Sequence, residues 1–297
     1  MKSFSINRFG KLLCWVLRVN MRSLLAWAVG SIGAVFMGEL MAIKMAGFNT
    51  PYSFLSATSQ MGSVILVLVS LIMVSSVVST INEKRKREAF MMLPATNLEK
   101  YLALIIYTSV VCMVCLTLAF VLGDCLRMLW FWISPPKGLE LYSSFDGETL
   151  YYWWSSVLPL LVRDFTPDVL VGNRGFEYTA WYIAMELVVV AGMTLWIHSL
   201  MTLGGTLLRK YAFIITSAFF ILCFSLFVKF VNYYDLSIFT SNWEKGKLVT
   251  QEVGTLAYVL AVVLPLFAIF NYWASFRIFK NFELITNKWT NYDILKR

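Results

Sequence analysis

Six stretches of predominantly apolar residues, each about twenty long, constrain this chain more than any other feature. They are Ser23–Ile43, Gln60–Thr80, Tyr101–Gly123, Ala180–Leu203, Ala212–Val231 and Thr255–Tyr272, bounded by charged or turn-forming residues. At 1.5 Å per residue, a helix of that length matches a hydrocarbon core of ~30 Å. The expected fold is therefore an all-α integral membrane protein with about six transmembrane helices, forming a single transmembrane domain over residues 1–297. Hydrophobic residues make up 59% of the chain and charged ones only 14%, against about a quarter charged in a soluble domain, so no solvated surface is available to cover it.

A net charge of +8 raises the question of nucleic acid, and the placement of the basic residues answers it. Segments 1–22, 81–100, 204–211 and 273–297 hold 17 of the 25 Lys and Arg residues, and they fall on one side of a six-span path. The positive-inside rule puts them, and both termini, in the cytoplasm. Residues 134–179 carry a net charge of −3 and form the expected external loop. It contains an interfacial aromatic cluster, Tyr151–Trp154, and an apolar run, Val157–Val162, that is either re-entrant or lies on the outer surface. The positive charge is used for topology, and no nucleic-acid partner is expected. Because the basic residues run on to Arg22 with no evident cleavage site, the amino-terminal segment is not read as a signal peptide.

Residues 5–22 place Arg8, Lys11, Arg18 and Arg22 on one helical face and Phe9, Leu12, Leu13, Val16 and Leu17 on the other. This pattern predicts an amphipathic helix in the membrane interface. In the first span Ala26, Gly30, Ala34, Gly38 and Ala42 recur every fourth residue, a small-residue face against which another helix packs closely, from this chain or from a second copy.

The cytoplasmic segment 81–100 is the most informative stretch. After the basic run Lys84–Arg87, Phe90, Met91, Met92 and Leu93 make an apolar patch where lipid is not obviously available, and Pro94 ends the preceding helix. Thr96 and Glu99 have the spacing of a capping box, so a new helix is expected from about Asn97. A short rigid elbow results, suited to passing force between a cytoplasmic partner and the spans.

No catalytic constellation accompanies it. The single histidine, His198, cannot build a His-rich metal site, and no metal site is expected. Cys112 and Cys115 read as two small apolar residues inside the third span rather than a redox pair. There is no phosphate-cradling G-x-x-x-x-G-K-[ST] loop, so the chain is not expected to hydrolyse ATP in the P-loop manner, and any nucleotide energy would have to arrive from another subunit. Glu39 and Glu186 are intramembrane carboxylates and candidates for a polar site. Glu39 lies near the outer end beside Lys44, within reach of water; Glu186 either handles a proton or substrate or makes a hydrogen-bonded helix contact.

The stretch from Glu88 through Phe90-Met91-Met92-Leu93-Pro94-Ala95-Thr96 to Glu99-Lys100 resembles the cytoplasmic loop of type-2 ATP-binding-cassette (ABC) exporter permeases, many of which carry a similar leucine–proline string closing on Glu-Lys. The layout is also similar, down to a basic-aromatic exit after the sixth span around Asn271-Tyr272-Trp273. The resemblance implies a permease subunit of a bacterial inner membrane that pairs with a second permease copy and sits on two ABC ATPase subunits. It further implies that Glu88, Phe90, Met91, Met92, Leu93, Pro94, Thr96 and Glu99 form the ATPase-coupling element, with ATP–Mg on the partner and no cofactor in this chain. The long loop between spans three and four departs from the pattern, since many such exporters place their larger external element between spans five and six. The competing expectation is a proton- or ion-coupled secondary carrier or channel using Glu186 and Glu39.

Overall fold

A computed structural model describes residues 4–45, 51–76, 84–134, 180–208, 211–244 and 247–280. The expected external loop from residue 135, with its aromatic cluster and Val157–Val162 run, lies outside the described residues, as does the tail beyond Lys280. In chain order the elements are α1 (Ile6–Met45), α2 (Pro51–Ser75), α3 (Lys84–Met92), α4 (Asn97–Ile106), a π-helical segment (Tyr107–Val111), α5 (Cys112–Ile133), α6 (Ala180–Leu207), α7 (Ala212–Tyr233), β1 (Phe239–Glu244), β2 (Lys247–Val253) and α8 (Thr255–Lys280).

The protein is all-α in class, with six helices long and apolar enough to cross a membrane: Ile6–Met41, Thr58–Ser75, Asn97–Ile133, Ala180–Leu207, Ala212–Tyr233 and Thr255–Lys280. Each expected span is found, with several boundaries moved: α2 begins at Pro51 rather than Gln60, and α8 runs on past Tyr272 to Lys280. Residues 6–22 are not a separate element; they are the start of α1, a single unbroken helix of 40 residues. One stripe buries Leu12, Val16, Asn20 and Leu24, then Ser31, Val35 and Glu39, while Lys11, Arg18 and Arg22 stay exposed. The third apolar helix continues past Gly123 to Ile133 and buries Asp124 and Arg127. Between α7 and α8, β1 and β2 pair antiparallel, Phe239 opposite Val253, with a bulge at Asn242/Trp243.

The chain divides into two compact units. One comprises the described parts of Met1–Arg18, Leu71–Ser109 and Gly172–Arg297; the other comprises those of Val19–Ser70 and Val110–Val171. In the first, close helix packing rests on glycine. A Cβ on Gly204 would collide with the Thr216 side chain, and one on Gly205 with the backbone carbonyl of Ser75. Helices in lipid associate through such backbone approach, because the surrounding tails remove the hydrophobic drive. In the second unit Val35 and Phe120 form a small core with Ile65 and Leu66, and Gly38 meets Ile65 where a Cβ would stand.

Candidate functional site

The elbow between α3 and α4 is built from local rules. α3 ends at Met92 and the chain bends through Leu93–Ala95. Thr96 then starts α4 with both halves of the expected capping box: the Glu99 amide donates to Thr96 Oγ1 (3.2 Å), and the Thr96 amide donates to Glu99 Oε2 (2.8 Å). Lys100 donates from Nζ to the Met91 carbonyl at 2.6 Å, placing a cation where α3 leaves its last carbonyls unsatisfied.

Glu99 does more than cap. Its other oxygen, Oε1, accepts from the Ser5 amide (2.8 Å) and from Arg8 Nη2 (3.0 Å), and the side chain is fully buried. One carboxylate therefore ties the start of α1 to the start of α4. Trp15 stacks on Phe90 with ring centroids 5.7 Å apart, holding α3 to the same helix.

That contact corrects the reading of the apolar patch. Phe90 is not displayed for a partner; it is fully buried in this chain, because the amphipathic amino-terminal helix supplies the apolar cover that the loop lacks in sequence. Met91 and Leu93 are half-buried, Glu88 and Thr96 likewise, and Pro94 is exposed. Met92, 83% exposed, carries the outward apolar surface of the elbow.

The small-residue face of α1 is divided in use. Gly38 packs within the chain against Ile65, whereas Ala26, Gly30 and Ala34 are exposed and nothing lies within 4 Å of a Cβ built on Gly30. The Ala42 side chain lies outside the described residues.

In the second unit Glu39 does not reach water. It is fully buried, and Oε2 accepts from Arg127 Nε at 3.1 Å. Arg127 also donates from Nε and Nη2 to Asp124 Oδ1, at 3.0 and 2.5 Å. Sequence reading missed Asp124 and Arg127 by treating them as the end of the third span. The available signal was their spacing of three inside an apolar run that continues to Ile133. Glu186, in the first unit, is half-buried on α6 and engaged with other groups.

In the first unit, His198 of α6 joins two other helices. Its Nε2 lies 2.5 Å from Ser109 Oγ in the π segment and its Nδ1 lies 2.6 Å from Tyr272 Oη on α8. A neutral imidazole satisfies this arrangement by donating from one nitrogen and accepting at the other. Along the same α6–α8 contact, Asn271 Nδ2 donates to Ser199 Oγ (3.2 Å), and Thr206 Oγ1 lies 3.0 Å from Ser275 Oγ. A cavity of about 330 Å³ opens among α6, α7 and α8, lined by apolar and aromatic side chains including Met193, Trp196, Phe224, Phe227, Leu264 and Phe267. Cys112 is buried at the start of α5, and it and Cys115 are free thiols. Among the described residues no group of three or more His, Cys, Asp or Glu side chains is arranged to hold a metal ion.

No protein-family model, curated protein or solved structure matches this chain.

Proposed function

We propose that the chain is the membrane-spanning permease subunit of an ABC exporter, driven by ATP hydrolysed on a separate ATPase subunit. One observation carries the reading: a short helix and a capped second helix meet at a fixed elbow that presents Met92 outward. Glu99, Lys100 and the Trp15–Phe90 stack brace that elbow against the amino-terminal helix. A push on Met92 would therefore move α3, α4 and the start of α1 together, which is what coupling to an external motor requires. In this reading the elbow and both termini face the cytoplasm of a bacterial inner membrane. A second permease copy packs on Ala26, Gly30 and Ala34, and the apolar cavity among α6, α7 and α8 suits a hydrophobic substrate.

Purification of the tagged full chain from its own membranes is expected to bring down an ABC ATPase, and Met92→Asp to reduce that recovery at least tenfold while leaving the Tm of the chain within a few degrees. Absence of an ATPase from the intact chain, or unchanged recovery with Met92→Asp, refutes the docking. The buried Glu39–Arg127 contact favours a second reading, a proton-coupled carrier. Reconstituted liposomes separate the two, since a carrier moves its substrate with no ATPase present.

A further inference from the structure

We propose that the Glu39–Asp124–Arg127 cluster is a buried proton-binding site in which Glu39 is the group that takes up and releases the proton. The inference depends on neither transport reading; it rests on how one guanidinium is divided between two carboxylates.

Arg127 favours Asp124. Asp124 Oδ1 accepts from both Nη2 and Nε, while Glu39 receives only a share of the same Nε–H through Oε2. The second Glu39 oxygen, Oε1, is buried and accepts no hydrogen bond. An ionised carboxylate with one bare oxygen and half of a shared donor is poorly compensated where water is excluded, and such groups neutralise instead. Of the two carboxylates that share Arg127 Nε, Glu39 is the one left with a bare buried oxygen, and a proton on Glu39 removes its poorly compensated charge.

The surroundings add no described cation that would do the same work. In this unit α2 contributes no Asp, Glu, Lys, Arg or His, and α5 contributes besides Asp124 and Arg127 only the thiols Cys112, Cys115 and Cys125. On α1, Arg22 is exposed and the Lys44 side chain lies outside the described residues. Binding or losing one proton thus changes by one unit the charge held at the contact of α1 with α5. Ionisable side chains within apolar helices are costly and commonly mark such proton relays.

The test uses dicyclohexylcarbodiimide on the full-length protein in liposomes. An un-ionised carboxylic acid adds across the carbodiimide: its proton passes to one nitrogen, its oxygen bonds the central carbon, and an oxygen-to-nitrogen acyl shift leaves a stable N-acylurea with no leaving group. Peptide mass spectrometry is expected to find the label on Glu39 in mildly acidic buffer, falling about tenfold per pH unit once Glu39 is mostly deprotonated, unchanged by sodium, and absent from Glu39→Gln. Infrared difference spectra of wild type minus Glu39→Gln are expected to show a protonated-carboxyl stretch that disappears in alkaline buffer. Absence of that stretch at every pH at which the protein stays folded overturns the proposal. Loss of both signals on adding sodium, but not choline, also overturns it by assigning the site to a metal cation.

Discussion

Replacing Glu99 by glutamine tests the elbow with the least change in shape. The carboxylate accepts from the Ser5 amide and Arg8 on one oxygen and from the Thr96 amide on the other. A glutamine has one acceptor oxygen, so its NH₂ must face a donor: Thr96 in one orientation, Ser5 and Arg8 in the other. One or two hydrogen bonds to a charged group are lost, each worth about 1.5–3 kcal/mol. Arg8 offsets part of this because its side chain is 31% exposed and is able to turn to water. The expected net loss is about 2–4 kcal/mol, against about 1 kcal/mol for Thr96→Ala, which removes only the Oγ1 acceptor of the Glu99 amide. Thermal unfolding in detergent, followed by tryptophan fluorescence and by proteolysis near the amino terminus, measures both. Trp15, one of 11 tryptophans, lies on Phe90 and contributes to the fluorescence change, while the proteolysis reads the amino-terminal contact itself. A double-mutant cycle with Arg8→Met isolates that pair. If Glu99→Gln costs no more than Thr96→Ala, the carboxylate does not join the two helices and the bracing argument fails.

Arg127→Met removes the guanidinium shared by Glu39 and Asp124 and is expected to cost about 3–5 kcal/mol; adding Asp124→Asn, which neutralises the carboxylate that Arg127 holds by two donors, should recover part of the loss, and a single variant of unchanged stability would contradict the burial of the cluster. Gly205→Ala sets a methyl against the Ser75 carbonyl and should cost about 1–3 kcal/mol by overpacking, read as a fall in Tm. Gly30→Leu, in open space, should leave the Tm unchanged but shift a dimer to monomer in light scattering, and an unshifted mass would remove α1 from any subunit interface. His198→Ala should lose about 2 kcal/mol, and Tyr272→Phe and Ser109→Ala about 1 kcal/mol each; either added to His198→Ala should cost almost nothing more, which a cycle of Tm values checks.

Six long helices were legible because lipid imposes a length and an apolar composition that no tertiary contact needs to supply. The capping box at Thr96–Glu99 was legible for a similar reason: both partners lie within one turn, so spacing alone specifies the geometry. Phe90 was misread because its cover comes from Trp15, far away in sequence, and an apolar residue on a polar loop has the same local signature whether it faces a partner or its own chain. The Ser109–His198–Tyr272 cluster left no trace, since the π segment that carries Ser109 has no marker in the sequence. Arg127 escaped for the opposite reason: a charge at the end of an apolar block looks like a boundary, and only the Trp and Phe residues beyond it show that the helix goes on.

The polar contacts of α1 have a property in common that bears on why they persist. In lipid an apolar side chain gains little by moving from tails to a neighbouring helix, so apolar stripes align helices loosely. A buried charge pair tolerates no such latitude, because a slip of one residue turns the partner about a quarter of a turn away and strands both charges. Glu99 with Ser5 and Arg8 sets the register of α1 against α4, and Arg127 with Glu39 sets it against α5, each within its own unit. The two differ in what they respond to. Glu99 has every oxygen occupied and holds its contact as a fixed joint, whereas Glu39 keeps one oxygen bare and one donor shared. A change in proton activity therefore acts on the second contact and leaves the first in place.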